Sequence, residues 1–208
     1  MRYFTLFLVL VIAISAGNSD AADNELFIPR ISGIPSLSDF EGMEPQTEIA
    51  QSMAKVGEFI QRTPNDGAQP TQRTDVYVGY NQTHLFAVWL AFDSQPELIR
   101  ANLASRENIN GDDRVGLTID TFNDQRTAVS FHSTPLGIQW DARWTESSSI
   151  RAGFDTSFEA VWESDGVLTN QGYMVWMSIP LRSLRFNEAD EQVWRVQFGR
   201  LIPRLSEF

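Results

Sequence analysis

The residues of this chain best placed to do chemistry are carboxylates and tryptophans. Gly111-Asp112-Asp113-Arg114 opens a segment that runs through Val115, Leu117 and Ile119 to Asp120 and closes at Asn123-Asp124. The alternation of apolar residues predicts a half-buried strand with carboxylates gathered at both ends. Such a set suits calcium, a hard cation that takes several oxygen ligands, and Asp112, Asp113 and Asp124 are the candidate ligands. It suits arginine partners equally well. Asp120, inside the strand, is expected to pair with a buried Arg. The spacing matches no EF-hand loop.

The second candidate chemistry is aromatic stacking. Leu136, Ile138, Trp140, Ala142 and Trp144 alternate with Gly137, Gln139, Asp141 and Arg143 in the cleanest period-two stretch of the chain. Trp140 and Trp144 on one strand face could stack on the C–H face of a pyranose. Gln139, Asp141 and Arg143 would supply hydrogen bonds, and Trp162 a further aromatic surface. The competing reading places these tryptophans in a packed core. Catalysis has little support. His84 falls in a turn and His132 in a strand, neither beside a nucleophile motif. Glu159 and Glu163, if on one strand, stand roughly 13 Å apart from strand rise, too far for paired glycosidase carboxylates.

The elements that must position these residues are mostly strands. Strands are expected at 75–80, 85–92, 115–122, 127–133, 136–144, 158–163, 173–179 and 192–202. Residues 85–92 are apolar on both faces, which predicts a central strand covered on both sides. Ser94, Pro96 and Glu97 carry the signals of a helix start, with Leu98, Ile99 and Leu103 as its apolar face. Residues 46–54 suggest another brief helix, and 31–35 a short edge strand. Many short strands and little helix predict an all-β, antiparallel β-sandwich over residues 73–208. Residues 22–72, with no Trp and little alternation, read as an irregular N-terminal arm lying against that domain.

Residues 1–21 have the form of a secretory signal peptide. Arg2 gives the positive end, Phe4 to Ala16 the apolar stretch, and Ser19-Asp20-Ala21 the small residues before a cut. Export to the periplasm or to the cell surface and outer membrane is the expectation. The chain has no cysteine, so disulfides and thiolate metal sites are excluded. A net charge of −11 argues against nucleic acid as a partner. Nearly all of the positive charge is Arg, which favours fixed Arg–carboxylate pairs in the fold.

An ordered set of motifs resembles a known family. Gln61-Arg62-Thr63-Pro64, Gln72-Arg73-Thr74, Gly111-Asp112-Asp113, Ile119-Asp120-Thr121-Phe122, Pro135-Leu136-Gly137-Ile138-Gln139, Ile179-Pro180-Leu181-Arg182-Ser183-Leu184-Arg185-Phe186 and Arg200-Leu201-Ile202-Pro203-Arg204 follow in sequence. Together they resemble the family 9 carbohydrate-binding-module-like domain that begins a group of bacterial exported proteins. The resemblance spans roughly residues 28–208. It implies a β-sandwich, a carbohydrate ligand and a role in carbohydrate uptake or breakdown. It also implies a C-terminal outer-membrane-barrel-like region, before which this chain would stop as a truncated product. The early Asp-Gly and Trp of better characterised modules have no counterpart at Ile31-Ser32-Gly33-Ile34.

Three functions follow as expectations: a carbohydrate-binding module that is not catalytic by itself, a structural or plug domain for the barrel, and a haem-binding sandwich. The last would recruit Met174, Met177, His132 and Lys55.

Overall fold

The computed structural model describes residues 7–12, 24–146 and 153–208. Twelve strands form two sheets: β1 (Phe7–Ile12), β2 (Asn24–Ile28), β3 (Ala54–Val56), β4 (Thr74–Tyr80), β5 (His84–Phe92), β6 (Arg114–Asp120), β7 (Thr127–Ser133), β8 (Gln139–Thr145), β9 (Phe154–Asp155), β10 (Glu163–Thr169), β11 (Gly172–Pro180) and β12 (Glu191–Leu201). One sheet has the order β2-β1-β12-β6-β7-β8-β9 and the other β10-β11-β5-β4-β3. All pairings are antiparallel except β1 with β12. The protein is an antiparallel β-sandwich, as its alternating segments predict. The segment Phe7–Ile12, read as the core of a signal peptide, is the strand β1. Ala21 and the cleavage point lie outside the described residues.

The core lies between the sheets. Val115, Leu117, Ile119, Phe131, Trp194, Val196 and Phe198 from one sheet meet Val76, Val78, Trp89, Tyr173, Val175 and Met177 from the other. Residues 85–91 of β5 are all buried, and β5 is the middle strand of its sheet. Its second face packs under a separate cluster in which Ile31, Phe40, Met43, Ala50 and Met53 cover Tyr77, Phe86, Val88 and Leu90. This explains why both faces of β5 are apolar: each meets a hydrophobic layer rather than water.

Several local expectations are corrected. The helix signals at Ser94–Glu97 yield only a 3₁₀ turn at Pro96–Leu98, and Ile99 is already extended (φ −62°, ψ 127°). The reason lies downstream. Asp113 Oδ2 accepts the backbone N–H of Arg100 at 2.9 Å, and Asp112 Oδ2 that of Asn102 at 3.1 Å. Those N–H groups are taken by carboxylates rather than by a helix. Leu103, assigned to an apolar helix face, is 87% exposed. Among the described residues the α-helix is a single turn at Glu48–Gln51, with Thr47 accepting the Ala50 N–H as its cap. Residues 31–35 form no strand; Ile31 N donates to Tyr80 O at 2.8 Å beside an isolated Arg30–Tyr80 bridge. The strand expected at 158–163 instead begins at Glu163 and runs to Thr169. Glu159 and Glu163 are both exposed and do not share a strand.

Candidate functional site

Residues of even number in β6 and β7 face away from the sandwich core. Gly116 and Thr118 therefore stand on the outer face of the sheet beside His132, paired across the strands as Gly116↔His132 and Thr118↔Ser130. The next strand adds Trp140, paired with His132. On the other side β12 adds Gln197 and Gly199, paired with Thr118 and Gly116. Two glycines side by side let neighbouring rings lie against a backbone floor, His132 over Gly116 and Phe208 over Gly199. The floor is tightly set: a Cβ on Gly116 would come 2.5 Å from His132 Nδ1 and 2.6 Å from Phe131 O.

The walls rise from several elements. Trp140 meets the His132 ring edge-on with centroids 5.1 Å apart and lies 6.1 Å from Phe154 of β9. Opposite, the Phe208 ring packs over Gly199. Phe208 is fixed there by backbone bonds with the 62–63 segment, Arg62 N donating to Phe208 O at 2.6 Å and Phe208 N to Thr63 O at 3.1 Å. Ile109, Asn110, Arg114 and Arg62 close the rim. The cavity, open to solvent on one side, measures about 320 Å³, within the range of small-ligand sites.

Its polar side chains are neutral or positive. Burial, and then Arg114, push the His132 imidazole down to about 3. At neutral pH the ring is therefore uncharged, with one donor and one acceptor nitrogen. Burial lowers the Arg114 guanidinium from its usual value, while Asp112 acts in the opposite direction. Its Nη1 reaches Ile109 O at 3.4 Å. The site can thus offer an aromatic wall, a neutral imidazole, the amides of Asn110 and Gln197, and two guanidinium groups.

The residues singled out in the sequence are distributed differently from the expected site. Trp140 lines the cavity. Trp144 shares its face, roughly 13 Å along the strand, but packs on Gly153 and does not line the cavity. Gln139, Asp141 and Arg143 point into the sandwich, the side opposite Trp140, and cannot share a ligand with it. Gln139 Nε2 donates to Trp162 O at 3.0 Å. Asp141, fully buried, accepts from Arg106, from Ala160 N at 2.6 Å and from Trp162 Nε1 at 3.1 Å. Arg143 lies over the Phe158 ring at 4.7 Å. Trp162 is in the core, edge-on to Phe131. Arg partners for buried carboxylates exist at Asp75, Asp93 and Asp141, with buried Arg at Asp93, rather than at Asp120.

The carboxylates proposed for calcium are not brought together. Asp112 and Asp113 precede β6 and Asp124 follows it, roughly 20 Å away by strand rise. Asp112 is held by Asn102, and Asp124 accepts the Arg126 N–H at 2.8 Å. Asp113 enters a buried cluster with Asp93, Arg200, Arg204 and Tyr173. There Arg204 Nη2 holds both oxygens of Asp93, at 2.7 and 2.8 Å. Burial raises the Asp113 carboxyl from its usual value and the Tyr173 phenol to about 12. Asp120 accepts the N–H groups of Phe122 at 3.1 Å and Gln125 at 2.7 Å, closing the β6–β7 turn. Among the described residues no three His, Asp or Glu side chains gather as a metal site.

The four residues considered for haem also lie apart. Met177 is in the inter-sheet core, Met174 in the cluster on the opposite face of its sheet, His132 in the outer cavity, and Lys55 paired with Asp75 at 3.0 Å.

The sequence reading missed Gly116, Gly199, Arg114, Arg62, Phe154 and Gln197 as cavity residues. One signal was present: a glycine inside a strand marks a close approach of backbone or ligand, and Gly116 is such a glycine.

Fold and cavity define a β-sandwich with a ligand-sized hollow on the outer face of one sheet. No family model matches the chain, and no curated protein does. A solved structure from Bacteroides uniformis, described as a "putative carbohydrate-binding protein", superposes with a TM-score of 0.57. It covers 98% of this chain and 87% of its own at 10% identity, which shows a shared fold.

Proposed function

We propose that this chain is a carbohydrate-binding module with no catalytic role of its own, and that Trp140 is its stacking surface. The observation that carries the reading is the cavity: a half-buried tryptophan edge-on to a neutral imidazole, with two amides alongside. Sugars need that combination, an apolar plane for the C–H face and a few fixed polar groups for the hydroxyls. The fold shared with the Bacteroides uniformis protein supports it, and so does the ordered motif resemblance to family 9 modules. With one aromatic plane and few hydrogen bonds, affinities of about micromolar to millimolar are expected. The leader-like first 21 residues motivate an exported protein of the periplasm or cell surface. By the same resemblance, an outer-membrane-barrel-like region would be its partner.

A glycan array probed with the chain and with its Trp140→Ala and Trp144→Ala variants tests the reading. Binding lost in Trp140→Ala and kept in Trp144→Ala is the expected result. Binding kept in Trp140→Ala would place the site elsewhere, and an array blank for the parent chain would remove the carbohydrate reading.

A further inference from the structure

We infer that the ligand of this cavity is an anionic sugar, bearing a carboxylate or a sulfate ester that Arg114 and Arg62 bind. The inference rests on the carbohydrate reading above and narrows it.

The charge distribution is the first argument. The whole chain carries a net charge of −11, yet no Asp or Glu lines the cavity, and two Arg do. A random patch of this surface would be acidic. An anion approaching the molecule is repelled everywhere except where local positive charge outweighs the net field, and a concave site with low-dielectric walls focuses that charge.

Unlike the five arginines held in ion pairs, the two in the cavity keep their guanidinium groups free of carboxylates. Arg73 pairs with Asp75, Arg106 with Asp141, Arg126 with Glu146, and Arg200 and Arg204 with Asp93. Among the described residues neither Arg62 nor Arg114 has a carboxylate within 4 Å. Arg114 is half-buried and makes a single long bond, 3.4 Å to Ile109 O. A guanidinium carries five donors in a planar fork matched to carboxylate and sulfate oxygens. Burying one with most donors unused costs solvation that an incoming oxyanion would recover. Arg62 is exposed, but the backbone bonds of its segment to Phe208 anchor it at the same rim.

His132 cannot supply positive charge at neutral pH, since burial, and then Arg114, keep it neutral. Anion recognition therefore falls to the two arginines, while Trp140 and His132 take the uncharged part of the ring.

Calorimetric titration of the chain with three short oligosaccharides tests this: a neutral xylo-oligosaccharide, an oligogalacturonate, and a sulfated galactan oligosaccharide. At low salt at least one of the two anionic ligands should bind tenfold or more tightly than the neutral one. The excess should shrink in 0.5 M NaCl, as screening requires. Arg114→Gln should bring the anionic ligand down to the neutral affinity. Arg62→Gln, at an exposed position that the fold does not need, should remove at least threefold. Whether uronate, sulfate or both bind identifies the source of the oxyanion. Neutral binding equal to or tighter than anionic binding would overturn the inference and leave the carbohydrate reading standing. Anionic preference that survives both Arg substitutions would overturn it too. No binding of either anionic ligand would overturn the inference, while the glycan array decides the carbohydrate reading.

Discussion

Asp141→Ala separates a residue that holds the sandwich from one that binds a ligand. Asp141 has no exposed surface and three partners: Arg106, the Ala160 N–H and the Trp162 indole N–H. Removing the carboxylate leaves two buried donors without acceptors, at about 1–3 kcal/mol each. The Arg106 contribution is smaller than for a fully buried pair, because its side chain is 39% exposed and can rehydrate. The expected loss is about 3–5 kcal/mol, a fall in melting temperature of roughly 6–20 °C for a domain of this size. Asp141→Asn keeps the shape and one acceptor oxygen, and should cost about 2–3 kcal/mol. Urea unfolding followed by tryptophan fluorescence reports this directly, since Trp162 loses its partner. A change below 1 kcal/mol for Asp141→Ala would refute the reasoning. So would unchanged stability with lost glycan binding, which would return Asp141 to the ligand site.

Further outcomes follow from the same geometry. Gly116→Ala should cost about 1–3 kcal/mol through overpacking and abolish ligand binding, because the new Cβ would meet His132 and Phe131 O; wild-type affinity in this variant would contradict the assigned floor. His132 is held below its ordinary value of 6.5, down to about 3, so the unfolded chain binds the extra proton. Stability should be full above 6.5 and fall as pH drops from 6.5 towards 3, and His132→Gln should flatten that slope in melting curves taken across the range. Chelator should leave the melting temperature unchanged within about 1 °C, because Asp112, Asp113 and Asp124 are engaged at opposite ends of β6; a fall of several degrees would demand a cation site. The purified chain should not turn over aryl glycosides or polysaccharides; turnover lost on a Glu→Gln change would contradict the absence of a catalytic role.

The sandwich was legible because period-two patterning is local. The double-sided apolar run of β5 and the alternation of β6, β7 and β12 can be read within each segment. What failed depended on distant partners. In β8 the apolar face was recognised, but the more polar face is the one that goes inside. Asp141 is buried because Arg106, Ala160 and Trp162 converge on it from 19 to 35 residues away, and no spacing rule within the strand encodes that. The helix expected after Ser94 is lost to Asp112 and Asp113 in the same way. Ser164-Asp165-Gly166 has the composition of a turn yet lies in β10, where Gly166 admits the Pro135–Gly137 backbone; a Cβ there would come 2.5 Å from Pro135 O. The cavity is the extreme case. Its parts come from positions 62, 109–118, 132, 140, 154, 197–199 and 208, and only sheet register places them together.

Carbohydrate binding as proposed requires that ligand meets Trp140 on the outer face of the sheet. The most direct measurement is an NMR titration of the indole N–H signals, assigned by single substitution, with an oligosaccharide selected on the array. The Trp140 signal should shift and saturate while those of Trp162 and Trp194, buried between the sheets, stay in place. Saturable shifts confined to any other tryptophan, with Trp140 unmoved, would contradict it.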